Sequence, residues 1–420
     1  MRILIIHNNR IGLSEPYSDT MYLRSLFSSF HRDDLMQIYN NEVPEPVSYC
    51  RHCYKTTHLE RRFSTSYRLL YQATHCANSN GALQKKTGVS LLRKSGLQEI
   101  LFPPRLTDTL MSFIESNHPD LIYTQGYHLS NLMLTVKIAD KYKIPYAVHP
   151  LDDWAKNRLH QSVAQILLSP VWVWWTRNFI MKANWRFAIS ISMKTEYERR
   201  YGVKWSVLPV SISIHNSTEA SDFQYHFSLM ESKSDTIEFT YAGSLMGGRA
   251  ETLKKLAKVL CRKMTECEGV KYVLKIYTRS DAGMLDNSDD VQECLEIYDA
   301  ISIDKLFPLL QASDVLVLAE SFDDRHAKYD RYVLSSKVGI YLQARRPIMV
   351  LGSSQNGTVA DAVMNEWAHT CTENSEDCIE KSVSVVLSNA KNLVHKSTRY
   401  YEDKLDMSKI SRKLYEDLNG

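Results

Sequence analysis

Residues 313–351 read SDVLVLAESFDDRHAKYDRYVLSSKVGIYLQARRPIMVL. The apolar run Val315-Leu316-Val317-Leu318 reads as a strand of a parallel sheet, buried on both faces. Glu320 follows directly off its carboxyl end, and a charged loop with Asp323, Asp324, Arg325, His326 and Lys328 comes next. Ser335 or Ser336 starts a helix whose Val338, Tyr341 and Leu342 share one apolar face. Pro347 ends that helix, and Ile348–Leu351 is a second strand. Such a β-loop-α-β unit holds ligands at the carboxyl ends of its strands and at the helix N-terminus. Glu320, Ser335, Ser336 and Lys337 lie at that rim. The alternative is a capped helix beside a solvated loop, the usual state of loop acids such as Asp323 and Asp324.

Outward from this unit, strands and helices alternate. Arg2–Ile6, Asp120–Thr124, Pro145–His149, Phe187–Ile191 and Trp205–Leu208 read as strands. Helices are expected through Tyr22–Leu26, over Leu106–Ile114 and Leu129–Tyr142, from about 158 to 184, and over Lys194–Tyr201. Residues 32–100 are polar and basic and yield no clear elements. Residues 211–235, SISIHNSTEASDFQYHFSLMESKSD, have the Ser-rich polarity of a linker. A second strand-first series then begins with Thr236–Ala242 and Val270–Tyr277, and Ser302 caps a helix ahead of the central unit. The expected architecture is α/β, with two doubly wound, Rossmann-like parallel sheets. The N-terminal domain spans 1–210. The C-terminal domain spans 236–394, and a tail over 395–420 packs back on the first domain.

At 420 residues two domains are the natural expectation, and 44% hydrophobic content suffices for two cores. A net charge of +3 gives no global field and no argument for nucleic acid. The N-terminal half carries the basic surface: residues 154–195 hold six Lys and Arg and no acid. Trp172, Trp174, Trp175, Phe179 and Trp185 lie in the same stretch, either as core or as interfacial anchors. The longest apolar stretch, Ile166–Trp175, is short of the ~20 residues that span a bilayer. The start MRILIIHNN lacks a signal-peptide pattern, so the expected location is the cytoplasm. Cys50 and Cys53 form one CxxC without a second pair at zinc-site spacing, which fits unliganded thiols better than zinc.

After the Thr236–Ala242 strand comes the turn Gly243-Ser244-Leu245-Met246-Gly247-Gly248-Arg249. Gly247 and Gly248 let the backbone approach a ligand, and the following helix N-terminus favours anions. Arg249 stands where its fork of donors would hold a diphosphate. An ordinary βα turn would also explain the glycines.

YAGSLMGGRAETL, together with ASDVLVLAES and LSSKVGIYLQARRPIMVLG, resembles the GT-B glycosyltransferases of the family 4 type used in bacterial surface-polysaccharide assembly. FAISISMKTEYERRYG, VLPV, PDLIYTQG and YAVHPLDDW resemble other segments of that family. The resemblance implies two domains facing a cleft, the first binding acceptor and the second a nucleotide sugar. It implies that Gly243, Gly247, Gly248, Arg249, Ser335, Ser336 and Lys337 bind the donor. Glu320 would contact the donor sugar, and His149 would sit near donor sugar and acceptor as the second catalytic residue. His149 read alone is equally a capping or core-edge histidine, and Asp152 and Asp153 equally helix N-caps. The implied activity is metal-independent transfer of a sugar with retention to a lipid-linked or oligosaccharide acceptor. No cofactor is implied beyond the nucleotide-diphosphate sugar, and peripheral contact with the inner face of the plasma membrane is expected.

The sequence departs from the family pattern at Lys328, where a second acid is usual, and at Ile340, where an acid usually precedes the tyrosine. It also departs at Arg345 or Arg346 in place of a glycine, and in the 7–18 loop, which lacks a glycine pair. A nucleotide-sugar 2-epimerase and a catalytically degenerate binding subunit of a polysaccharide-assembly complex are the alternative functions.

Overall fold

The computed structural model describes residues 1–13, 18–41, 47–57, 60, 103–126, 128–153, 163–214, 236–266, 269–285, 293–327 and 330–419. The chain forms two compact units, Met1–Leu208 with Ser411–Gly420, and Pro209–Ile410.

The first unit is built on a seven-stranded parallel sheet. Its strands are β1 (Ile3–Ile6), β2 (Leu35–Tyr39), β3 (His52–Lys55), β4 (Leu121–Thr124), β5 (Tyr146–Val148), β6 (Trp185–Ala188) and β7 (Ser206–Val207), in the order β3-β2-β1-β4-β5-β6-β7. β1 lies in register with both neighbours, Ile3 opposite Leu35 and Leu121. Every residue of β1, β2 and β4 is buried, as a sheet covered on both faces requires. Helices α1 (Ser18–Leu26), α2 (Asp108–Asn117), α3 (Leu129–Tyr142), α4 (Val163–Lys182) and α5 (Ile191–Tyr201) supply those covers. Residues 411–419 belong here: Ser29 N–H donates to Ser411 Oγ at 2.9 Å, Trp185 Nε1 donates to the Asp417 carbonyl at 3.0 Å, and Phe30 meets Tyr415 edge-on.

The second unit holds a six-stranded parallel sheet of β8 (Thr236–Ala242), β9 (Lys271–Thr278), β10 (Leu295–Asp299), β11 (Val315–Ala319), β12 (Ile348–Leu351) and β13 (His369–Cys371), ordered β10-β9-β8-β11-β12-β13. Its helices are α6 (Arg249–Glu266), α7 (Ile303–Ala312), α8 (Asp324–Ala327), α9 (Lys337–Gln343), α10 (Gly357–Asn365), α11 (Glu376–Ser388) and α12 (Ala390–Tyr400). β11 divides its side chains between two cores. Val315, Val317 and Ala319 join Leu253, Leu256 and Leu260 of α6, and Leu316 and Leu318 join Val338, Tyr341 and Leu342 of α9. The two-residue alternation of a strand thus fixes which helix covers which face.

Several expected boundaries move. β6 starts two residues and ends three residues earlier than expected, and α5 starts at Ile191 rather than Lys194, because the Ser190 side chain accepts from Met193 N–H and begins the helix there. α9 starts at Lys337, with Ser336 in the cap position but making no side-chain cap. Ser302 likewise precedes α7 without a side-chain cap. β2 and β3 fall inside the stretch that gave no sequence reading. Residues 215–235, most of the expected linker, and Lys328 lie outside the described residues.

Candidate functional site

In the second sheet the strand order reverses between β8 and β11. At such a point, ligands of open α/β sheets bind beyond the carboxyl ends of the strands. The glycine turn and Arg249, first residue of α6, follow β8, and Glu320 follows β11. The sequence therefore delivers a cation and a carboxylate to the two sides of one switch point.

The two meet. Arg249 Nε donates to Glu320 Oε2 at 2.8 Å, and Nη2 lies 2.7 Å from the same oxygen. Nη2 also reaches Asp330 Oδ2 at 3.4 Å, and Nη1 donates to the Met246 carbonyl at 3.3 Å. Glu320 is fixed through its backbone: its N–H donates to the Leu351 carbonyl at 2.8 Å, and its carbonyl accepts from Thr252 Oγ1 at 2.8 Å. Burial raises the Glu320 pKa, opposed by Arg249 and Lys337. Burial raises that of Asp330 as well, again against Arg249. Among the described residues Glu320 Oε1 accepts no hydrogen bond, which leaves one carboxylate oxygen for a ligand hydroxyl.

Lys337 supplies the second cation. Its Nζ donates to Tyr241 Oη at 3.0 Å and lies 4.4 Å from that ring's centroid. Tyr241 Oη in turn donates to the Ser244 carbonyl at 2.6 Å. Burial draws the Lys337 ammonium down to about 8; Glu320 opposes this shift and Arg249 adds to it. The glycines make room for these side chains. A Cβ on Gly243 would overlap the Lys337 ammonium, and one on Gly248 would overlap the Ser321 hydroxyl. Gly247 and Gly248 have φ of 71° and 84°, left-handed values that favour glycine. Ser335 N–H donates to Thr358 Oγ1 at 2.9 Å, while the hydroxyls of Ser335 and Ser336 make no hydrogen bond among the described residues.

His149 belongs to the first unit, where it is wholly buried at the end of β5. Its Nδ1 accepts from Tyr123 Oη at 2.8 Å, and its Nε2 faces the Leu208 carbonyl at 2.9 Å. Burial lowers its pKa to about 3, the Leu208 bond opposing. The imidazole is therefore neutral, a donor at Nε2 and an acceptor at Nδ1, and it ties β5 to the chain after β7. Arg200 Nη1 and Nη2 grip the two Asp153 oxygens at 2.7 and 2.9 Å, and the residues that Asp152 and Asp153 were expected to cap, 154–162, lie outside the described residues.

Sequence reasoning missed Tyr241 and Asp330. Tyr241 lies two residues before Gly243, on the β8 face that also carries Phe239 and Ile237, and reads as core. Asp330 lies ten residues beyond Glu320 in a charged loop, where nothing local distinguishes it from solvated acids. Among the described residues no group of His, Cys, Asp and Glu is placed to hold a metal ion.

Two Rossmann-like parallel-sheet domains in one chain define the GT-B fold. The chain is similar over its full length to trehalose-6-phosphate synthase OtsA, with 11% identity, a TM-score of 0.63 and 99% of that chain covered. It is similar to an E. coli trehalose-6-phosphate structure bound with UDP-2-fluoro glucose, with 11% identity, a TM-score of 0.62, and 100% of this chain and 99% of that one covered. It is also similar to Anabaena Alr3699/HepE in complex with UDP and glucose, with 12% identity, a TM-score of 0.60 and both chains fully covered. At these identities the likeness is one of fold. No family model and no curated protein matches the sequence.

Proposed function

We propose that the chain is a retaining glycosyltransferase, of the family 4 type, that moves a sugar from a nucleotide-diphosphate donor to a lipid-linked or oligosaccharide acceptor in surface-polysaccharide assembly. The supporting observation is the convergence of Arg249, Lys337 and Glu320 at the switch point of the second sheet, beside a turn that glycine alone keeps open. UDP and a UDP sugar in the structures similar in fold agree with this reading.

In this mechanism the donor diphosphate lies against Arg249, Lys337, the turn Gly243–Gly248 and the hydroxyls of Ser335 and Ser336. Glu320 Oε1 accepts from a donor-sugar hydroxyl. As the glycosidic bond breaks, negative charge grows on the diphosphate, and preorganised cations stabilise that state more than the ground state. These side chains do the neutralisation, so the reaction calls for no metal and no further cofactor. His149, neutral and doubly bonded, positions the end of β5 in the acceptor-binding unit.

The same proposal places the protein at the inner face of the cytoplasmic membrane. Val173 and Trp174 of α4 are 50% and 58% exposed, with Val171, Arg177, Met181 and Lys182 exposed around them. Among the described residues no helix is long and apolar enough to cross a membrane, and an apolar patch bordered by cations suits a headgroup region.

The test is incubation of the full-length protein with a panel of nucleotide-diphosphate sugars, reading released nucleoside diphosphate and the anomeric configuration of the product. Slow donor hydrolysis, accelerated by acceptor and retaining configuration, is expected. Inversion, or release from no donor, would overturn the reading, and isomerisation at C2 of an intact donor would mark an epimerase.

A further inference from the structure

In the first sheet the strand order reverses between β1 and β4, so this unit too has a switch-point crevice. The side chains just beyond its strand ends form a chain of neutral amides. Thr56, one residue past β3, donates from Oγ1 to Asn40 Oδ1 at 2.7 Å. Asn40, one residue past β2, donates from Nδ2 to Asn8 Oδ1 at 2.9 Å and Asn131 Oδ1 at 3.3 Å. Asn131, in the first turn of α3, donates from Nδ2 to the same Asn8 Oδ1 at 3.0 Å. Asn8, two residues past β1, is half-buried, and its carbonyl accepts from the N–H groups of Asn40 and Asn41 at 2.9 and 2.7 Å.

Two bonds onto Asn8 Oδ1 fix which way its carboxamide points. The Nδ2 end, with two N–H groups, has no partner among the described residues. Next to β1, at the end of β4, stands Gln125, 1% exposed, with neither end of its carboxamide in a hydrogen bond of normal geometry. Its effect on Tyr123 is a downward pull on the phenol pKa, against the larger effect of burial. Folded proteins rarely leave a buried carboxamide unsatisfied without a ligand or water to complete it.

Among the described residues no charged side chain takes part in this network, and Arg10 nearby donates from Nη1 to Ser48 Oγ. Neutral amides can bond a phosphate or carboxylate but do not neutralise it, and an anion here would meet no cation within the network. A sugar hydroxyl, both donor and acceptor, matches amide N–H and C=O groups directly. We infer that Asn8, backed by Asn40 and Asn131 and flanked by Gln125, forms a subsite for the uncharged hydroxyl groups of a carbohydrate acceptor. This rests on the proposed acceptor role of the first unit, and it narrows the acceptor's recognised end to a neutral sugar.

The experiment is saturation-transfer NMR on the full-length protein with the methyl glycosides of glucose, galactose, mannose and N-acetylglucosamine, and with glucose 6-phosphate against glucose. At least one methyl glycoside should give saturable transfer. Asn8→Asp, which replaces the presented donors by acceptors, and Asn8→Ala should each weaken it about tenfold, with the thermal melt showing that both variants fold. Transfer from none of the glycosides, equal binding in both variants, or tighter binding of glucose 6-phosphate than of glucose would overturn the inference. A parallel titration of the wild type with UDP separates the two claims. Glycoside binding without UDP binding would sink the transferase reading and leave this subsite standing, and the reverse would do the opposite.

Discussion

Arg249 places two guanidinium nitrogens on a single oxygen of Glu320, at 2.8 and 2.7 Å, so the carboxylate holds the arginine fork while its other oxygen accepts no hydrogen bond among the described residues. A fork held this way is preorganised before a diphosphate arrives. Arg249→Ala should lower turnover about 10²–10³-fold, roughly 2.7–4 kcal/mol of transition-state stabilisation, with an unchanged circular dichroism spectrum. Glu320→Gln should reduce turnover with the true donor more than it weakens binding of free nucleoside diphosphate. Near-normal turnover of Arg249→Ala would remove it from the donor site.

Lys337 gives the activity an alkaline limit. Its pKa is lowered to about 8 by burial, so its charge is present below that value and lost as pH rises through it. Donor kcat/KM, which reports groups of the free enzyme, should fall above about pH 8. Lys337→Arg, charged at all accessible pH, should abolish that limb. A profile flat to pH 10 in the wild type would disprove the assignment.

Arg345 stands in the left-handed region at φ 53°, where the resembled family has a glycine nearby. A left-handed conformation costs an L-residue about 1–2 kcal/mol, and glycine gives back roughly 0.5–1 kcal/mol through its freer unfolded chain. The ion pair of Arg345 with Glu402 is long, at 3.9 Å, and its acid is 55% exposed, so this pair adds little. Arg345→Gly should therefore match or exceed wild-type stability in urea denaturation. A loss above about 1 kcal/mol would show that the side chain holds more than this pair.

Removing Arg200 leaves a buried acid without its cation, held only by the Tyr197 hydroxyl at 3.2 Å among the described residues. Asp153 is 3% exposed, and the arginine fork contacts both its oxygens. Breaking such a pair typically costs about 3–5 kcal/mol. Arg200→Ala should lower the melting temperature markedly, and Arg200→Ala with Asp153→Asn should recover part of the loss. If the single variant melts like the wild type, the acid finds another partner.

Membrane contact is read by flotation with liposomes. Anionic vesicles should carry the protein and release it as salt rises, since each basic residue near the surface contributes about 1 kcal/mol. Trp174→Ser and Arg177→Glu should each weaken flotation. Equal binding to neutral vesicles, or none to anionic ones, would end the idea.

What the sequence disclosed follows burial. β11 and β12 carry unbroken apolar runs, β8 alternates polar and apolar residues, α3 carries a full helical stripe, and all four lie where those patterns put them. β2 and β3 escaped because β2 has the buried Gln37 at its centre and β3, an edge strand reading His-Cys-Tyr-Lys, buries little. The cluster of Arg249, Glu320 and Lys337 was legible because Arg249 follows a glycine turn, Glu320 a strand end, and Lys337 opens a helix. The burial of His149 was not, for it depends on Tyr123 and Leu208, which lie 26 and 59 residues away. Asp330 was hidden for the same reason: its partner is 81 residues distant.

The membership of residues 411–419 in the first unit bears on how the protein is made. Domains generally fold as they leave the ribosome, the earlier before the later. Here the first sheet waits for Ser411, Tyr415 and Asp417, which emerge only after the whole of Pro209–Ile410. The later unit, continuous in sequence, can therefore complete its fold before the earlier one, which stays open until the last residues join it. A released chain truncated after residue 410 should show protease protection in the second sheet and not over Phe30 and Trp185.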